Sequence, residues 1–315
     1  MHFIADWGQA NFHRICSWLT QEFCDRAGPS SRTAIWSIRG GGIEAAEQVF
    51  DGEAQLGIIT PAGLFPDALV GKGIFAAKGP MPSLRTLAVL PQRDRLMLAI
   101  HPKFGIKSYA DLRRVKPALR IATSMDDGTN FIGYIAMRVL AAHGITKEVL
   151  ESWGGSFVLT DRPEKALENM RIGKADAVLQ EAIMTPWWSH LMEDHHLVPI
   201  PAEADALASL ANQNGFAPAS IRAGFWDTEH NKEEIPAVEF SDFIIIVRDD
   251  MPDDIAYQLT WCLNETKATL ESQYKHMPPE RSPLTYPLDG FAMAKPSLPL
   301  HPAAERYYKE AGYLP

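Results

Sequence analysis

Six groups of residues in this chain carry side chains suited to holding a small anion, and each follows or flanks an apolar run. They are Asp6, Trp7, Gln9 and Asn11, with His13 beyond them; Arg39 with Gly40, Gly41 and Gly42; Thr60; Ser124, Asp127, Thr129 and Asn130; Gln180 and Glu181; and Phe225 with Trp226. Arg39 carries the strongest expectation, because a guanidinium at the mouth of a strand grips a carboxylate through two parallel hydrogen bonds. The glycines after it let main-chain amides approach an anion, although GGG lacks the spacing of a dinucleotide or phosphate-loop fingerprint. Trp7 offers an aromatic face for the apolar part of a ligand. Asp6, His13, Asp127 and Glu181 could exchange protons with a ligand held within hydrogen-bond reach. The sequence has no GxSxG, HExxH or nucleophilic-cysteine pattern. His190, His195 and His196 stand with Glu193 and Asp194 at no standard zinc spacing, which predicts a solvated helix end. Neither a metal nor a cofactor is expected.

These residues need a scaffold that gathers strand ends on one side. The pattern supplies it as strand, turn and helix repeated: strands over 3–6, 33–38 and 55–60, with helices over 11–23 and 43–50 between them. Two more strands, 84–90 and 95–101, lead out of this first region. A short helix capped by Ser108 then delivers the chain to 119–144, where a strand over 119–122, a polar turn and an apolar-periodic helix follow one another. That helix starts at Thr129 or Asn130, and a helix start has unpaired N–H groups and a positive dipole end that suit an anion. Further on, the pattern predicts strands over 157–159, 175–179 and 197–200 and a helix over 163–172. An apolar strand over 240–247, a helix from 253 to about 274 and a proline-rich tail with a last helix over 303–311 complete the chain. The segments 47–60 and 168–181 share one layout of helix end, glycine, charged residue, alanine and buried strand. Gly52 and Gly173 are the predicted left-handed helix stops. The likeness predicts two lobes of similar build, with lobe 1 formed by 1–98 plus 240–315 and lobe 2 by 99–239.

Composition limits what such a scaffold can do. At 315 residues, 46% hydrophobic and 22% charged, the chain can bury the cores of two ordinary domains. A formal net charge of −9 with no basic run argues against nucleic acid as a partner. The longest apolar run, 243–247, is strand length, so no membrane insertion is expected. The start MHFIADWG lacks the charged and apolar regions of a signal peptide. A cytoplasmic protein is expected if Met1 is the native start, and a periplasmic one if a leader has been removed. Cys16, Cys24 and Cys262 form no metal pattern and are read as free thiols.

The closing segment PLHPAAERYYKEAG (299–312), together with GGGIEAAEQVFDGEAQLGI, VRDDMPDDIAYQLT and the 119–144 stretch, resembles the TAXI family of solute-binding subunits of TRAP transporters. The likeness runs in family order along essentially the whole chain. It implies an α/β, two-lobed type II periplasmic-binding-protein-like fold with a ligand cleft between lobes. It also implies a small-molecule carboxylate ligand and TRAP membrane subunits as partners. The ligand loops depart from the family. Trp7, Gln9, His13 and Arg14 stand where the family has small residues and paired tyrosines. Arg39, Gly42 and Ala45 replace a threonine, a serine and an asparagine, and Ala303 replaces a glycine. The alternative is a cytoplasmic enzyme on the same fold, a decarboxylase of a small or aromatic acid.

Overall fold

A computed structural model describes residues 1–6, 10–38, 42–183 and 187–315. Trp7, Gln9, Arg39, Gly40 and Gly41, all expected at the ligand site, lie outside the described residues. The chain divides into two compact units, 1–93 with 241–315 and 94–240. The second division point lies one residue from the sequence expectation and the first five residues before it, because the strand that begins at Arg95 is built into the sheet of unit 2.

The first leg of unit 1 comprises β1 (His2–Asp6), α1 (Ala10–Arg26), β2 (Ala34–Ile38), α2 (Ile43–Phe50), β3 (Leu56–Ile59), α3 (Pro66–Val70) and β4 (Leu84–Leu90). Unit 2 follows with β5 (Arg95–Ile100), α4 (Tyr109–Val115), β6 (Arg120–Ser124), α5 (Phe131–Ala142), α6 (Lys147–Ser152), β7 (Ser156–Thr160), α7 (Pro163–Arg171), β8 (Ala177–Glu181), α8 (Trp187–Ser189), β9 (Val198–Ile200), α9 (Ala204–Asn214), β10 (Pro218–Ile221) and β11 (Ile235–Glu239). The chain returns to unit 1 as β12 (Phe243–Arg248), α10 (Asp253–Glu265), α11 (Lys267–Ser272), α12 (Gly290–Met293) and α13 (Pro302–Glu310).

Unit 1 is built on a five-stranded sheet in the order β2-β1-β3-β12-β4. β1 runs parallel to both β2 and β3, while β12 is antiparallel to β3 and β4. The carboxyl ends of β1, β2 and β3 therefore lie on one edge, and helices must carry the chain back between them. β3 and all but the last residue of β12 are buried without alternation, as strands covered on both faces must be. Ile58, Ile245 and Leu259 are wholly buried in this core, each contributing roughly 1.5–3 kcal/mol. The tail packs beside β4. The Thr86 amide donates to Pro299 O, the His301 amide donates to Thr86 O, and Tyr308 Oη donates to Leu87 O. His301 caps α13 through Nδ1, which accepts the Ala303 amide at 3.2 Å, while Nε2 faces Met251 O at 3.1 Å. That pairing requires the neutral ring, and burial lowers its pKa accordingly.

Unit 2 has a sheet in the order β10-β11-β5-β8-β6-β7, with β9 also on β5. β6 is parallel to β7 and β8, so Ser124, Thr160 and Glu181 end these strands on one edge. One face carries an apolar cluster that includes Ala122, Val178, Leu167, Trp188 and Trp226. The two similar corners read from the sequence have the same main-chain bonding. The Ala54 amide donates to Gln48 O and the Gly52 amide to Val49 O; the Ala175 amide donates to Asn169 O and the Gly173 amide to Met170 O. Gly52 and Gly173 sit at φ 81° and 74°, where a side chain would be strained.

The sequence reading passed over α6, α9, β10 and β11, and three expected elements at or near the strand ends differ in extent. β6 and β8 end two residues later than their apolar runs suggest. Ser124, Gln180 and Glu181 thus belong to strands, held there by pairing with neighbours rather than by side-chain type. The helix expected over 253–274 is broken at Thr266, whose hydroxyl donates to Cys262 O at 2.8 Å, a back-bond that competes with helix continuation.

Candidate functional site

The candidate ligand edge of unit 1 is the side where β1, β2 and β3 end. Asp6 is the last residue of β1, paired in register with Ile38. Gly42 starts α2 at φ 95° without a side-chain cap. Asn11, in the first turn of α1, accepts the Tyr274 hydroxyl at Oδ1 (3.0 Å), and Arg14 lies 4.8 Å over the same ring. Burial pushes the Tyr274 phenol up to about 12, so it serves as a donor. His13 has a buried Nδ1 with no hydrogen-bond partner among the described residues. Thr60 is 3% exposed; its hydroxyl donates to Asp242 O (2.9 Å) and accepts from Gln92 Nε2 (3.1 Å). Asp242 holds φ 65° and accepts the Gln92 amide at Oδ1. Thr60 is therefore committed to a polar network that ties β3 to the segments entering β12 and leaving β4.

The ligand edge of unit 2 is richer in polar groups. Ser124 ends β6 and Gln180 is the last but one residue of the adjacent β8, with Gln180 Nε2 donating to Ser124 Oγ at 2.9 Å, and both are fully buried. Gln180 Oε1 and Thr123 Oγ1 are buried without hydrogen-bond partners among the described residues. Glu181 is 5% exposed and pairs in register with Leu96. Beyond β6 the turn is self-contained. Asp127 Oδ1 accepts both the amide (3.0 Å) and the hydroxyl (2.7 Å) of Thr129. Asn130 Oδ1 accepts the amides of Ile132 (2.9 Å) and Gly133 (3.3 Å), so two amides at the start of α5 are met by the cap. The turn also lies very close to the helix: a Cβ on Gly133 would sit 1.8 Å from Met125 O.

Phe225 and Trp226 are packed into the apolar cluster, with Trp226 stacked on Trp188 at 6.2 Å between centroids. His190 contacts Asp194 at 2.8 Å on the surface, and no group of three metal-ligating side chains occurs among the described residues. Cys16, Cys24 and Cys262 are free, and burial pushes the Cys262 thiol up to about 11. A cavity of about 320 Å³ in unit 1, lined by residues including Gly52, Gln55, Arg248 and Ile255, opens at the other end of the sheet, where β1 and β3 begin. Its Arg248 guanidinium is held by Asp250 (2.9 and 2.7 Å) and Phe50 O (3.1 Å).

Two residues at the unit 2 edge escape a reading by motif. Arg162 follows β7 and precedes the proline that opens α7; it is half-buried, and its guanidinium makes no hydrogen bond or ion pair with the described residues. A cation between a strand end and an uncapped helix is a pattern a sequence can reveal. Asp94 precedes β5, and its partners at Ile183 lie too far along the chain to be read.

A model of the NMT1-like family matches residues 27–312. Among solved structures, the chain is similar to PhnD1 from Prochlorococcus marinus in complex with methylphosphonate. The identity is 10% over 99% of this chain and 98% of that one, with a TM-score of 0.55. It is also similar to MatC from Rhodopseudomonas palustris with bound malate, at 12% identity over 90% and 92% of the two chains and a TM-score of 0.51. A structure described as a periplasmic transporter gives 11% identity, 99% and 92% coverage and a TM-score of 0.51. These likenesses concern the fold, which is α/β, two-lobed and of the type II periplasmic-binding-protein kind.

Proposed function

The chain belongs to the NMT1-like family, and from that premise we propose that it is a solute-binding protein that captures a small carboxylated metabolite at the loops ending its parallel strands. The observation that carries the anionic part of this reading is Arg162. A half-buried guanidinium that makes no hydrogen bond or ion pair among the described residues, with Asp161 acting on it only through its charge, retains its capacity for bidentate binding. α7 begins at Pro163 without a side-chain cap, and its dipole adds to the same attraction. Ser124, Gln180 and Glu181 at the neighbouring strand ends supply polar contacts, and Arg39 in unit 1 remains the sequence-based candidate for a second cation. The resemblance of 299–312 and 119–144 to TAXI subunits supports delivery of the solute to TRAP-type membrane subunits.

The test is calorimetric titration with a panel of small mono- and dicarboxylates, malate and glutarate among them, followed by mass spectrometry of the recovered acid. We expect saturable binding, recovery of the acid unchanged, and at least about tenfold weaker binding in Arg162→Gln. Loss of carbon dioxide from the acid would replace the binding reading by the decarboxylase one. Full affinity in Arg162→Gln would remove this arginine from the site.

A further inference from the structure

The Asp94 carboxylate joins the start of β5 to the chain leaving β8. Asp94 stands immediately before β5 and is 8% exposed. Its Oδ1 accepts two main-chain amides, that of Arg95 at 2.7 Å and that of Ile183 at 2.9 Å. Its main-chain oxygen accepts Arg95 Nη1 at 2.6 Å and the Phe240 amide at 3.0 Å. The Ala182 amide donates to Arg95 O at 2.8 Å. The start of β5, the departure of β8 and the end of β11 thus meet at one residue. The side-chain contact to Ile183 lies two residues beyond Glu181, at the last described position before 184.

A buried carboxylate is costly unless it receives several hydrogen bonds, and a main-chain amide is a rigid donor, so the carboxylate and the loop fix each other. We infer that Asp94 is a positioning residue for the solute site: its carboxylate holds the chain leaving β8, and through it the setting of Gln180 and Glu181. The connection to solute rests on the binding function proposed above; the connection to the loop does not. Arg95 serves the same corner from the other side, with its guanidinium spread between Asp94 O and Ser220 O (3.2 Å from Nε).

The experiment is hydrogen exchange on the full chain without ligand, read at the peptide that contains Ala182 and Ile183. Asp94→Ala should speed exchange there by about tenfold or more while the peptides of β6 and β12 keep wild-type protection. Asp94→Asn, which retains a carbonyl acceptor at the same reach, should restore protection. Should Asp94→Ala not fold, Asp94→Ser is read instead, because its oxygen lies one bond closer to the main chain and misses Ile183. Wild-type protection in the truncated variant, equal opening of all unit 2 peptides, or failure of the asparagine to rescue would each overturn the assignment. The solute arm uses malate and glutarate by calorimetry: weaker binding in Asp94→Ala and near-normal binding in Asp94→Asn are expected. Local opening with unchanged affinity would cut the link to the solute site. Local opening in a protein that binds neither acid in any form would count against the binding function alone, with the loop assignment standing.

Discussion

Replacing Gly133 by alanine sets two opposed effects against each other, and the structure decides the sign. Gly133 lies in the first turn of α5, where alanine is favoured over glycine by about 1 kcal/mol on helix propensity. The added Cβ would stand 1.8 Å from Met125 O, 2.3 Å from Met125 C and 2.8 Å from the Asp126 nitrogen. Those are main-chain atoms, so no rotamer change relieves the overlap; the turn or the helix must shift by more than 1 Å, roughly the shortfall from ordinary contact. Such a shift works against the Met125 amide bond to Thr160 O (3.1 Å) and the Asn130 cap on Ile132 and Gly133. Overpacking of this kind costs about 1–3 kcal/mol and a strained main-chain hydrogen bond about 1 kcal/mol. The propensity gain offsets only part of this, leaving Gly133→Ala destabilised by about 1–3 kcal/mol. Urea unfolding at neutral pH, followed by circular dichroism and tryptophan fluorescence together, measures it. A variant as stable as the parent would mean that the turn over α5 has slack, and that its geometry is not set by this contact.

Asn130→Ala removes the acceptor for two amides at the start of α5 and should cost about 1–2 kcal/mol in the same urea assay; a loss within error would show that other donors or solvent replace the cap. Arg39→Ala should weaken binding of the best panel acid by the order of 2–5 kcal/mol if the guanidinium makes a buried charge pair, and unchanged affinity in titration would exclude Arg39. Burial pushes the Asp94 carboxyl from 3.8 up to about 6 against the pull of its amide donors. The folded pKa lies above the unfolded one, so the native state binds the extra proton between those values and this group gains stability as pH falls through about 6 toward 4. The difference in unfolding free energy between the parent and Asp94→Asn should therefore move in favour of the parent from pH 7.5 to pH 4.5, and a flat difference would refute a buried charge at this position.

What could be read from the sequence was local. Apolar runs such as 243–247 announce central strands, Ser108 caps α4 by accepting the Asp111 amide, and Gly52 and Gly173 stop their helices, each by interactions within a few residues. The candidate site was read as a set of strand ends, because parallel strands joined by helices gather them on one edge. The state of each polar group there was not. Thr60 looks free until Gln92 and Asp242, 32 and 182 residues away, are brought against it. Gln180 and Glu181 read as loop residues because two polar side chains follow an apolar run, and only pairing with β5 extends the strand through them. Asp94 and Ile183 are 89 residues apart, and nothing in either neighbourhood announces the other.

The opening of α5 and the opening of α7 make different demands on an incoming anion. At α5 the amides of Ile132 and Gly133 already face Asn130 Oδ1, and Thr129 has given both its donors to Asp127. A carboxylate binding there must displace a neutral acceptor that is covalently in place, and gains only the difference between a charged and a neutral hydrogen bond, about 1 kcal/mol or somewhat more per bond. At α7 there is no side-chain cap to displace, and the guanidinium of the N-cap residue makes no hydrogen bond or ion pair among the described residues, although the Asp161 carboxylate lies in its field and Glu164 stands in the first turn. Coulomb attraction to Arg162 and the helix dipole act together there, against the charge of these two carboxylates. On this comparison, if unit 2 binds an acid as proposed, Arg162 is expected to contribute more to the affinity than the Asn130 corner. Exchanging the roles by Asn130→Gly, which frees the two amides, should raise affinity for a dicarboxylate by less than Arg162→Gln lowers it.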